Sequence, residues 1–125
     1  MTFDDYQGKT RETAVYPTCF VEDKVNTVDG CNAMVEARFV YPALGLAGEA
    51  GEVEEKLKKI LRDDHGLVSD KNKVEIKKEL GDVLWYLAQL CDCLGISLED
   101  CATGNLAKLA DRKNRGTLQG SGDNR

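Results

Sequence analysis

Apolar residues recur at helical spacing along two stretches of this chain. Leu46, Ala50, Val53, Leu57 and Ile60 follow one another at steps of four and three, and Ile76, Leu80, Val83, Leu84, Leu87, Cys91 and Leu94 repeat the pattern farther on. Each set lays one apolar stripe along a helix. The spacing predicts helices over about residues 42–62 and 70–94, joined by the polar turn Asp63, Asp64, His65 and Gly66, with Ser69 or Asp70 capping the second. Two amphipathic helices joined so closely are expected to pack as an antiparallel hairpin. Thr2, followed by Asp4 and Asp5, predicts a first helix near residues 3–15, ending ahead of Pro17. Residues 18–31 mix β-branched and turn residues without a sustained period and read as a connection. Residues 32–40 read as a short helix that stops before Pro42, a residue suited to the first turn of the helix after it. Gly95 ends the 70–94 helix, and Ser97-x-x-Asp100 resembles a capping box opening a last helix over about 98–112. The expectation is an all-α chain with one domain over residues 1–112 and a Gly-rich polar tail over 113–125.

The polar positions beside these stripes carry the candidate chemistry. Glu49 and Glu52 are three residues apart on the first long helix, and Glu79 and Asp82 are three apart on the second. That spacing puts each pair on one helix face, and an antiparallel hairpin can bring the four carboxylates together. Four converging oxygen ligands suit a hard divalent cation, whereas without a counter-ion they would repel. Lys56 and Lys59 continue the flank of Glu49 and Glu52, and Tyr86 lies one turn beyond Asp82 on its own flank. Taken singly, Glu52 with Lys56 and Glu55 with Lys59 are also the spacing of solvent-facing ion pairs. Gly45, Gly48 and Gly51 are unfavourable within one helix and imply close approach of a neighbour or a ligand. Trp85 falls on the far side of its helix from Asp82, which suits core or interface better than ligand stacking. In the last helix Asn105, Lys108 and Arg112 share a stripe, which is either a polar face or a set of contacts for a polyphosphate.

Charge and composition narrow the classes. A net charge of −5 over 125 residues argues against a protein that binds nucleic-acid backbones. No apolar run approaches the roughly 18–20 residues of a membrane helix, and the acidic start is unlike a secretion signal, so a cytoplasmic protein is expected. The cysteines 19, 31, 91, 93 and 101 are odd in number and lack C-x-x-C spacing, which fits reduced thiols filling small buried sites. His65, the one histidine, sits in a polar turn with no serine nucleophile motif or second histidine to accompany it, which also disfavours a carboxylate-bridged iron bundle.

The segments LGLAGEAGEVEEKLKK, ELGDVLWYLAQL and NLAKLADRKNRGTLQGSGDNR, spanning roughly residues 41–125, resemble the MazG-like all-α nucleoside triphosphate pyrophosphohydrolases. The opening DDYQGKTRETAVYP resembles the first helix of short, single-domain members of phage and bacterial type. The resemblance implies a hairpin extended to a four- or five-helix bundle, completed by association into a homodimer or homotetramer. It implies Mg²⁺-dependent cleavage of an NTP or dNTP between the α and β phosphates, with Mn²⁺ as an alternative ion. Glu49, Glu52, Glu79 and Asp82 match the metal ligands, with Glu52 the first choice, ahead of Glu49, for orienting the attacking water. Asn105, Lys108 and Arg112 match the polar positions that contact phosphate or base from the same or the partner subunit. Beside them, Lys56 and Lys59 are candidates for the outgoing phosphates, Tyr86 for a ligand contact, and Gln7, Thr10 and Thr13 for polar readers of the base. The rival readings are a non-catalytic helical dimerisation module and a related phosphohydrolase acting on a phosphoribosyl nucleotide or a nucleoside diphosphate.

Overall fold

A computed structural model describes residues 1–16 and 33–122, with side chains described from residue 39 onward in the second segment. The expected connection over 18–31, and with it Cys19 and Cys31, lies outside the described residues. Four α-helices are present among them and no strand: α1 (Phe3–Thr10), α2 (Ala33–Asp63), α3 (Asp70–Leu94) and α4 (Leu98–Asn114). None is long and apolar enough to cross a membrane.

Local chemistry accounts for most helix ends. Thr2 and Asp5 form a reciprocal capping box at the start of α1, with bonds of 3.0 and 2.9 Å. α1 is shorter than the predicted 3–15 helix because the chain tightens into a 3-10 turn over Arg11–Thr13. Ser69 caps α3, again in a reciprocal box, with Asn72. Gly95 ends α3 in the left-handed conformation, at φ 66°, that an L side chain resists. Ser97 caps α4 by accepting from the Asp100 amide at 3.0 Å. The Ser97 hydroxyl donates to Asp4 of α1 at 2.7 Å, so the cap also fastens α1 to α4. His65 has φ 53° and precedes Gly66 at φ 79°, which makes it part of the reversal between α2 and α3.

The expected break before Pro42 does not occur. α2 runs through that residue for 31 residues, with Pro42 inside it. Proline withholds one amide from the ladder and crowds the preceding turn, but its ring is fully buried here, and apolar burial offsets part of that cost. The last helix likewise extends two residues past the predicted end, to Asn114.

α2 and α3 pack along their length as the predicted antiparallel hairpin, and α1 lies against α3 and α4. The buried apolar centre is Ala88, Cys91 and Leu98, flanked by Tyr6 and Leu84, and so belongs to α1, α3 and α4. The two predicted stripes reach that centre only through Cys91 and Leu84 of α3. Of the α2 stripe only Ile60 is buried, and on α3 Leu80, Leu87 and Leu94 remain 51%, 36% and 49% exposed. Cys91 is buried, with its thiol pushed up to about 11 by burial and by neighbouring Cys101. Cys93 is half-buried and Cys101 exposed, and all three are free thiols.

Candidate functional site

The hairpin brings three of the four predicted acids together. Glu49 of α2 and Glu79 and Asp82 of α3 each offer a carboxylate oxygen, and these oxygens lie within 4.8 Å of one another. Glu49 and Glu79 are half-buried and Asp82 is exposed. Partial burial raises the Glu49 pKa above the ordinary glutamate value, and the negative charges of Asp82, Glu79 and Glu52 add to the shift. Glu52 is thus near enough to be felt, yet it stands outside the tight trio and is exposed. Carboxylate oxygens at this spacing are the donor set a hard divalent cation takes, so the residues present fit such an ion.

The lysines on the α2 flank part company. Lys56 crosses to α3 and pairs with Glu79 at 3.0 Å, which raises its pKa. It does not make the alternative pair with Glu52. Lys59 does make the local pair with Glu55, at 3.2 Å. Both lysines line a concavity of about 180 Å³ at the turn end of the hairpin, together with Ile60, Asn72 and the acids Asp63, Asp64 and Glu75.

At the other end of the trio stands an aromatic cluster. Tyr86 sits edge-on to Trp85 at 4.9 Å and tilted against Tyr41 at 6.4 Å, and Tyr16 stacks parallel on Tyr41 at 4.9 Å. A Cβ at Gly45 would overlap the Tyr86 ring, so this glycine is what lets the ring lie on the α2 backbone. Burial and the neighbouring Tyr41, together with the negative charge of Glu49 and Asp82, push the Tyr86 hydroxyl pKa up. Tyr86 therefore borders the acids, as its place on the Asp82 flank suggested. Gly48 and Gly51 face open space within the chain, so the close approach expected there is not supplied by a neighbouring element among the described residues. Tyr41 and Tyr16 escape a reading of the sequence that begins the helix at Pro42. Once α2 is continuous, Tyr41, Gly45 and Glu49 follow at steps of four, and that spacing is the signal that would have found Tyr41.

The polar residues of α1 turn inward. The Gln7 amide donates to the Ile96 carbonyl at 2.9 Å and accepts from the Leu98 amide at 2.8 Å, spanning the turn between α3 and α4. Thr10 donates to the Gln7 carbonyl at 2.8 Å and accepts from the buried Gln89 at 2.6 Å. Thr13 accepts from the Trp85 indole at 2.9 Å, which places Trp85 at a helix contact as expected. The fold thus uses Gln7, Thr10 and Thr13 to dock α1. On α4, Asn105 and Lys108 are exposed and Arg112 is 5% exposed, and the helix packs on α1. Within one chain the predicted stripe of three is divided between surface and interior.

Residues 42–117 match the MazG nucleotide pyrophosphohydrolase domain, a span that contains all three acids of the trio. The chain is also 42% identical, over the full length of both proteins, to the Gene 37 protein of Mycobacterium phage L5. No solved structure matches it. With the domain covering more than half of its residues, a helical hairpin as its frame and the acids gathered across that hairpin, the chain belongs to the MazG nucleotide pyrophosphohydrolase family.

Proposed function

We propose that the protein is a magnesium-dependent nucleoside triphosphate pyrophosphohydrolase, cleaving an NTP or dNTP between the α and β phosphates to a monophosphate and pyrophosphate. The observation that carries this reading is the meeting of Glu49, Glu79 and Asp82 oxygens within 4.8 Å, in a chain of this family. A bound Mg²⁺, or Mn²⁺ in its place, would offset phosphate charge and increase the electrophilicity of the α-phosphorus. Glu49, Glu79 and Asp82 would hold the ion. Glu52, outside the trio, is the carboxylate left to orient the attacking water. Lys56 can exchange Glu79 for a substrate phosphate, trading one anionic partner for another, and Lys59 stands farther along the same concavity. Tyr86 closes the opposite side.

The half-exposed stripes on α2 and α3 support association of the chain with itself. Ile76, Leu80, Val83, Leu87, Leu90 and Leu94 keep steps of four and three, the seam that a second helical hairpin covers. Such a homodimer or homotetramer is also how the exposed Asn105 and Lys108 would approach an acid site, from the partner, whereas Arg112 is buried in its own chain.

One preparation tests both parts. Purified protein is incubated with the common ribo- and deoxyribonucleoside triphosphates, with and without Mg²⁺, and its mass is measured by sedimentation. The expected result is a metal-dependent release of monophosphate and pyrophosphate by a dimer or tetramer. Diphosphate with inorganic phosphate as products would reject the cleavage site. Turnover of only nucleoside diphosphates or phosphoribosyl nucleotides would move the chain to the rival substrate class. Inertness towards every nucleotide would favour a non-catalytic module, and a mass of one chain would reject the assembly.

A further inference from the structure

Two of the free thiols meet where α3 gives way to α4. Cys91 lies one turn ahead of Gly95, and the Ile96 amide donates back to the Cys91 carbonyl at 2.9 Å, so the chain folds over this residue as it leaves the helix. Leu98, at the start of α4, packs in one buried cluster with Cys91. Cys101 is three residues beyond Leu98, on the same face of α4. The two thiols are neighbours, since Cys101 adds to the effect of burial in holding the Cys91 pKa up. Their surroundings differ: Cys91 is 6% exposed, whereas Cys101 is open to solvent. Cys93, two residues from Cys91, turns instead to the Tyr16 hydroxyl, at 3.7 Å.

We propose that Cys91 and Cys101 form a redox site, which a small soluble disulfide such as oxidised glutathione converts to an intrachain disulfide fastening α3 to α4. The division of labour follows from exposure. The thiolate is the attacking species, and of the two sulfurs Cys101 is the one that a disulfide in solution can reach. The Cys101 thiolate attacks one sulfur of that molecule, whose own S–S bond breaks, and one glutathione leaves as a thiolate that takes a proton from water. Cys91 is closed to solvent but stands beside the mixed disulfide so formed. Capping Cys101 removes the neighbouring thiol that opposed ionisation of Cys91, which leaves burial alone against it. The Cys91 thiol gives its proton to solvent, its thiolate attacks the Cys101 sulfur, and the second glutathione is expelled. Two protein thiols are then oxidised and one soluble disulfide is reduced to two thiols. The new bond spans the turn whose Ile96 carbonyl and Leu98 amide hold Gln7, so oxidation also steadies the seat of α1.

The full chain, first reduced and then exposed to oxidised glutathione, is digested without reductant by a protease that cuts after glutamate. Cleavage at Glu99 separates Cys101 from Cys91 and Cys93, so a crosslink across the turn appears in mass spectrometry as two joined peptides. The expected product is that joined pair, with the pair of protein thiols lighter by two hydrogens. Cys101→Ser, a change at an exposed position, should abolish it, and Cys93→Ser should leave it in place. Cys91→Ala should stop the reaction halfway, with one glutathione retained on Cys101. In urea the crosslinked wild-type chain is expected to unfold at a higher concentration than the reduced chain, because the bond restricts the unfolded state. The proposal is overturned if Cys101 pairs with Cys93, with another thiol of the chain or with a second copy. It is equally overturned if glutathione stays on Cys101 of the wild type, if both thiols remain free, or if the crosslinked chain unfolds no later than the reduced one.

Discussion

α3 carries two polar clusters about two helical turns apart, and they are built on opposite terms. Around Gln89, which is fully buried, each end of the amide has a partner: it donates to Thr10 at 2.6 Å and accepts from the Tyr16 hydroxyl at 3.1 Å. Around Asp82, like charges face one another, and of the trio only Glu79 has a cationic partner among the described residues. The first cluster is complete within the chain, as buried polar groups must be if they are not to cost stability. The second is not closed in this way: Asp82 is exposed, and neither it nor Glu49 has an ion pair among the described residues. A polar group whose needs are met by its own fold holds that fold together, whereas carboxylates gathered against their own repulsion remain open to a ligand.

Substitution should separate the two clusters by what is lost. Asp82→Asn and Glu79→Gln each remove a charge from the proposed ligand set and are expected to lower pyrophosphate release at least about a hundredfold while circular dichroism remains helical. Activity retained in either variant would contradict the assignment of the trio. Gln89→Leu should do the reverse, leaving the Thr10 and Tyr16 hydroxyls without their amide and lowering unfolding free energy by roughly 1–3 kcal/mol. Its products of turnover at a temperature where it is folded should be unchanged. A Gln89→Leu protein with the same denaturant midpoint as the wild type would show that the buried network contributes nothing.

The smallest effect probes Glu49, where burial first and neighbouring negative charge second oppose ionisation. Because the Glu49 pKa is raised in the folded chain, the native state holds that proton more tightly than the unfolded state does. In chelator, its ionisation therefore costs stability as pH rises from the unfolded carboxylate range through the raised folded value. Glu49→Gln cannot ionise, so its denaturant midpoint should gain on the wild type between acid and neutral pH, and Mg²⁺ should close the gap by stabilising the wild type. A gap that is independent of pH would mean that neither burial nor the neighbouring acids oppose the ionisation of Glu49.

Much of this was visible in the sequence, and the reasons it stopped where it did are physical. Thr2, Ser69, Gly95 and Ser97 act on neighbours three or four residues away, so their roles as caps follow from local spacing. The acids were legible for the same reason, since a hairpin with a short turn turns two local spacings into one cluster. Pro42 misled, because the ring's burial, which favours continuing the helix, is a tertiary fact that no local rule weighs. That one boundary hid Tyr41, which belongs on the Glu49 flank only when the helix is continuous. The sequence presents Gln7 as a candidate base contact, whereas the fold ties it to Ile96 and Leu98, partners some ninety residues away in the chain. Contacts at that separation leave no period in the sequence to detect.

The turn between α2 and α3 occupies only the residues between Asp63 and Asp70. Joining Glu49 to Asp82 thus costs the closure entropy of one short connection, and neither α1 nor α4 need be docked for the three acids to face each other. Damage to the α1 dock can erode the lifetime of the folded chain without altering the spacing of its carboxylates. Thermal robustness and chemical competence are, in this architecture, properties that separate mutations can tune apart.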